Sequence, residues 1–142
     1  MNQWFNKYTD IPYKLFGTDP TTGMDCFNLL CYVFKQEAGI AIPYTSSDFL
    51  KMVDDLWFTK THEQHFLNGS KNGDWIEIEN LEIYDLILMS LGSTNVVNHV
   101  AMYVGNNKIL QMIENRDSAI YDYHKYFRQY TIKKVRWKSL VN

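Results

Sequence analysis

Apolar side chains recur at helical spacing in the first third of this chain and at strand-like spacing in its second half. Leu29, Leu30, Val33 and Phe34 fall on one helical stripe, preceded by Gly23 and followed by Gly39. The stripe predicts a helix over residues 25–38, with Gly39 as its C-terminal cap. Upstream, residues 3–8 predict a short aromatic helix or turn, and residues 13–23 a loop punctuated by Gly17, Asp19-Pro20 and Gly23. Ser46-Ser47-Asp48 predicts the cap of a second helix, whereas residues 56–74 carry no readable period.

Strand signals follow. Trp75-Ile76-Glu77-Ile78 alternates, residues 84–90 are almost continuously apolar, and residues 99–104 and 108–112 flank the hairpin turn Gly105-Asn106-Asn107. A short helix over residues 122–128 and a last strand over residues 130–137 complete the pattern. A helical end followed by an antiparallel sheet is an α+β arrangement. A length of 142 residues accommodates it as one domain over residues 1–142.

Composition narrows the function classes. A net charge of −2, from 14 Lys+Arg against 16 Asp+Glu, speaks against nucleic acid as a partner. The locally basic stretch over residues 125–138 reads as a solvated strand edge. The apolar runs fall far short of the roughly 20 residues that span a bilayer, so no membrane partner is expected. Met1-Asn2-Gln3-Trp4-Phe5-Asn6-Lys7 lacks the apolar centre of a signal peptide, so none is expected.

The chemistry centres on the two cysteines. Cys26 stands where the Gly-marked turn gives way to the helix, and Cys31 lies inside it. Five helical residues separate their Cα atoms by about 8 Å, beyond disulfide reach. Unpaired N–H groups and the positive end of the helix dipole favour a thiolate at Cys26, while burial beside Met24 and Phe27 opposes it. The thiol therefore needs a base. His99, at the mouth of a strand, supplies one, and cysteine at a helix start with histidine on a later strand is the papain-like arrangement. Gln111, just past the hairpin, is the candidate to orient the imidazole. Asp25 reads as the helix cap or as an acceptor for a substrate amine. His62 and His65 are three apart rather than four, which argues against a zincin-type metal site, and no cofactor is expected.

Four blocks then carry a resemblance. They are Tyr13-Lys14-Leu15-Phe16-Gly17 with the loop to Asp25-Cys26; Gly39-Ile40-Ala41-Ile42-Pro43-Tyr44-Thr45-Ser46; Tyr84-Asp85-Leu86-Ile87; and His99-Val100-Ala101-Met102-Tyr103-Val104-Gly105-Asn106. In this order the chain resembles the NlpC-type cell-wall cysteine peptidases, a papain-like group. The resemblance implies an NlpC-type α+β fold and cleavage of amide bonds in peptidoglycan stem peptides. It implies Cys26 as nucleophile, His99 as base and Gln111, where the family usually has histidine, as the third member. Tyr13 would help hold the oxyanion or substrate; Asp25, Ser46 and Ser47 are the further substrate-binding candidates, the two serines reading first as a helix cap.

The departures are Phe16 for the first of two glycines, Phe27-Asn28 for Ser-Gly, Tyr44 for a common arginine and Tyr84 for glycine. They are expected to reshape the groove. They also suit a bacteriophage tail protein, with other tail proteins as partners and action in the virion or at the cell wall. Two other readings keep the fold: a catalytically silent tail or wall-binding module, and a thiol amidase or acyltransferase acting on another acyl group.

Overall fold

The computed structural model describes residues 3–46, 74–92 and 97–141. The helix expected from the apolar stripe forms. It runs as α1, Cys26–Val33, and continues through one wider π-type turn at Phe34–Ala38. Extended Asp25 caps its start, its carboxylate accepting from the Asn28 N–H at 3.0 Å. Gly39, at φ 67°, closes its end with an N–H returned to the Phe34 carbonyl. Leu29, Leu30, Val33 and Phe34 are all buried. Each such burial contributes about 1.5–3 kcal/mol, so packing rather than propensity holds this short helix.

Two small strands, β1 (Thr18–Asp19) and β2 (Gly23–Met24), pair just before α1. The main sheet contains β3 (Trp75–Glu77), β4 (Leu86–Met89), β5 (His99–Gly105), β6 (Lys108–Gln111), β7 (Ala119–Asp122) and β8 (Thr131–Trp137). Its order is β3-β8-β4-β5-β6-β7, with every pair antiparallel. Alternation divides the core between its two faces. Leu86, Leu88, Val100 and Met102 join the α1 side chains in one cluster. Ile87, Met89, Ala101 and Ile109 form another with Tyr123 and with Phe127 of α2 (Lys125–Gln129). Cover on both faces explains why the β4 segment reads as an unbroken apolar run. Asn106 and Asn107, at φ 51° and 60°, make the tight β5–β6 turn.

The structure corrects several boundaries and one placement. β4 starts at Leu86 rather than residue 84, because Tyr84 is held at φ 78°. β1, β2 and the half-buried edge strand β7 were not expected; all are too short for their alternation to stand out. The basic C-terminal strand is not an edge. β8 lies between β3 and β4, and its charges reach sideways to Glu77 and Asp85. Hydropathy reports the side chains of a strand, not how many neighbours its backbone pairs with. The expected helix after Ser46 lies outside the described residues.

The N-terminal segment packs onto this frame. Trp4–Tyr8 form a 3-10 turn with Phe5 and Tyr8 buried. Fully buried Ser118 ties the segment down, its Oγ accepting from the Ile11 N–H at 2.9 Å and donating to the Tyr8 carbonyl at 2.7 Å.

Candidate active site

Local geometry around the start of α1 is fixed by a small buried polar network. Lys14–Gly17 form a tight turn closed by Gly17 N–H to Lys14 O at 2.8 Å. The Phe16 N–H and the Ser46 hydroxyl both donate to Asp25 Oδ2, at 2.9 and 2.5 Å. Asn28 completes the network: its Nδ2 donates to the Gly17 carbonyl at 2.9 Å, and its Oδ1 accepts from the Ser46 N–H at 2.8 Å. A Cβ on Gly17 would lie 2.2 Å from the Gly23 carbonyl oxygen, so glycine is required where the loop crosses itself. Asp25 thus clamps the preceding loop and the following segment onto the helix that carries Cys26.

Cys26 occupies the first helical position and is half-buried. Backbone N–H groups of Val100, Phe27 and Cys26 itself favour its thiolate, but burial, reinforced by the Asp25 charge, outweighs them and pushes the thiol up to about 12. Of the two opposing influences expected at Cys26, desolvation outweighs the helix start, so the sulfur keeps its proton at rest. The Val100 N–H is available for a structural reason. The β5–β6 register reaches only as far as Met102↔Leu110, and Val100 lies beyond that last pair. Val100 thus stands where β5 and β6 part, one residue from His99.

His99 and Gln111 meet as the sequence anticipates. His99 Nε2 and Gln111 Oε1 are 2.8 Å apart, with His99 5 % exposed and Gln111 fully buried. An amide oxygen accepts only, so Nε2 carries the proton and Nδ1 keeps its lone pair. Burial holds the imidazole neutral, lowering its pKa to about 4 against a smaller upward pull from Gln111. Among the described residues Gln111 Nε2 has no hydrogen-bond partner, so the side chain leaves its buried N–H donors unpaired while presenting its oxygen to His99.

The other expected site residues divide. Tyr13 pairs with Met24 beside the helix start, and its phenol is pushed up by burial and by the charges of Glu114, Asp25 and Cys26. Tyr13 thus stands in the electrostatic neighbourhood of the sulfur. Ser46 is buried on Asp25, so both act in the clamp. Ser47, His62 and His65 lie outside the described residues. Among the described residues no three His, Cys, Asp or Glu side chains group to hold a metal. Cys31 is a free thiol whose sulfur lies 3.8 Å from the Tyr44 carbonyl.

Asn28 and the Val100 N–H escaped the sequence reading. A polar side chain within an apolar helical stripe was the available signal for Asn28; nothing in the sequence marks a backbone N–H. Most of the departures expected to reshape the groove instead pack. Phe27 stacks on Tyr44 with ring centroids 5.9 Å apart, the Tyr44 hydroxyl accepts from Trp75 Nε1, and Tyr84 packs on Trp4 and Phe34 at 5.4 and 6.3 Å.

With this geometry in place, the NlpC/P60 family model matches residues 10–136. The chain belongs to the NlpC/P60 family. It is 29% identical over 100 residues to the murein DD-endopeptidase MepH of Escherichia coli (strain K12), covering 70% of this chain and 30% of that protein. It is 31% identical over 117 residues to the bifunctional muramidase/DL-endopeptidase CwlT of Bacillus subtilis (strain 168), covering 80% of this chain and 28% of that protein. The chain thus spans under a third of the length of these curated relatives. Among solved structures, the NlpC/p60 domain of the peptidoglycan hydrolase SagA superposes with a TM-score of 0.57 at 21% identity, covering 92% of this chain and 90% of that one. An NlpC/P60 family protein from Bacillus cereus ATCC 10987 gives 0.62 at 22% identity, covering 96% and 39%. These likenesses establish the α+β, papain-like NlpC/P60 fold expected from the four blocks.

Proposed function

We propose that this NlpC/P60 chain is a cysteine peptidase that hydrolyses amide bonds in peptidoglycan stem peptides, with Cys26 as nucleophile, His99 as base and Gln111 as orienter. The observation that carries the reading is the 2.8 Å contact between buried His99 and Gln111, with the helix that starts at Cys26 packed against the strand that starts at His99. The hydrolase names of the relatives support the substrate class.

At rest the proton belongs to sulfur, since burial raises the thiol and lowers the imidazole. Attack and proton transfer therefore occur together. Sγ bonds to the amide carbonyl carbon as its proton passes to His99 Nδ1, and the imidazolium is steadied by Gln111 through Nε2–H. The backbone N–H of Cys26 and the Tyr13 hydroxyl receive the oxyanion. His99 Nδ1–H then protonates the leaving nitrogen as the C–N bond breaks, giving a thioester. Water then bonds to the thioester carbon as it loses a proton to His99, the C–S bond breaks to release the acid, and His99 returns that proton to Sγ.

Mass spectrometry of purified peptidoglycan fragments incubated with wild type and Cys26→Ala tests this. New stem-peptide fragments from wild type alone are expected, and their masses identify the bond. Failure to cleave walls of several bacterial types would favour the silent module, and acyl-transferred products would favour the transferase. A phage-tail setting remains part of the proposal and is supported by the block departures. Detection of the chain in purified tail particles tests it.

A further inference from the structure

We propose that Phe16 is a specificity-determining residue: its ring packs against the aliphatic part of the stem-peptide residue that flanks the scissile amide. This rests on the peptidase reading above. Six described non-glycine residues have positive φ; Asp10, Asn106, Asn107 and Asn115 are of the types that tolerate it, and Phe16 and Tyr84 are not. Tyr84 is explained by its ring packing on Trp4 and Phe34. Among the described residues Phe16 belongs to neither core cluster.

Phe16 holds φ 64° at the third position of the Lys14–Gly17 turn, where glycine or asparagine is favoured. Yet its side chain is 47 % exposed and stands outside both core clusters, next to Leu15 at 54 %. Burial therefore does not offset the strained backbone. The turn is nevertheless held firmly: the Phe16 N–H is bound to Asp25, the residue that caps the nucleophile's helix, and Gly17 O is bound to Asn28. A rigid mount, tied through Phe16 N–H to the residue before Cys26, thus displays an apolar ring to solvent. Lone exposed hydrophobes are ordinary. A strained one, clamped to the cap of the helix that carries Cys26 and outside both core clusters of the described residues, fits substrate contact. Stem peptides offer such a ring alanine methyls and the methylene chain of a diamino acid.

The test measures kcat and KM on a muropeptide that wild type cleaves, together with Tm, for wild type, Phe16→Gly, Phe16→Asn and Phe16→Trp. Glycine and asparagine are expected to raise KM about tenfold, a factor worth about 1.4 kcal/mol, with kcat within about twofold and Tm equal to or above wild type. Tryptophan should keep KM within about threefold. Wild-type KM in both small variants would overturn the inference, as would a lowered Tm with kcat and KM damaged together, which marks a structural ring. If wild type cleaves no muropeptide, the peptidase reading itself fails. An active wild type with an indifferent Phe16 removes this inference alone.

Discussion

Acidifying the protein from pH 7 to pH 4 should destabilise it through His99 in a way that one substitution removes. Burial lowers the folded imidazole from 6.5 to about 4, while in the unfolded chain it returns to its ordinary value near 6.5. Between these values the unfolded state binds a proton that the folded state does not. Stability from this group is therefore complete above about pH 6.5, declines as pH falls toward 4, and is flat below. A shift of two to three pH units at ~1.36 kcal/mol each gives roughly 3 kcal/mol. The assay is urea unfolding from pH 7.5 to 4 for wild type and His99→Gln. Carboxylates lowered by hydrogen bonds, such as Asp19 and Glu37, titrate in both proteins and cancel in the difference. The variant should lose roughly 3 kcal/mol less across that range. Parallel curves would refute the claim that His99 is buried in neutral form.

Four other substitutions test the frame around the site. Asn28→Ala leaves the Gly17 carbonyl and the Ser46 N–H without partners, so about 2–4 kcal/mol of stability should be lost in urea unfolding, together with activity. Gln111→Ala should retain residual turnover in a kinetic assay, because an orienter contributes less than the nucleophile or base. Gln111→Glu places a carboxylate 2.8 Å from the imidazole, so the acid limb of its kcat/KM profile should move to higher pH. Asp85→Asn weakens a fork in which Arg136 Nε and Nη2 each donate at 2.7 Å to a fully buried carboxylate. Roughly 3 kcal/mol should be lost in the same unfolding assay.

How much was legible in the sequence follows from the range of each interaction. The α1 stripe with its Asp25 and Gly39 caps, and the Asn106-Asn107 turn, are set by residues a few positions apart, and they form as read. Cys26 at a helix start and His99 at a strand mouth are local features as well. The interior position of β8 and the edge strand β7 are not local, because pairing is decided between distant segments whose side chains do not announce it. The same holds for the departures: as residue types Phe16, Phe27 and Tyr84 look alike, and only packing separates the buried Phe27 ring and the half-buried Tyr84 ring from one exposed ring.

The sequence by itself determined α1, its caps and the β5–β6 turn, and it marked a thiol, an imidazole and an amide for one candidate site, since helical period and turn chemistry act within a few residues. The tertiary structure decided the protonation of that site. Water is excluded only after α1 has packed on the sheet, and that exclusion raises the thiol, lowers the imidazole and overrides the helix dipole that the sequence alone suggests.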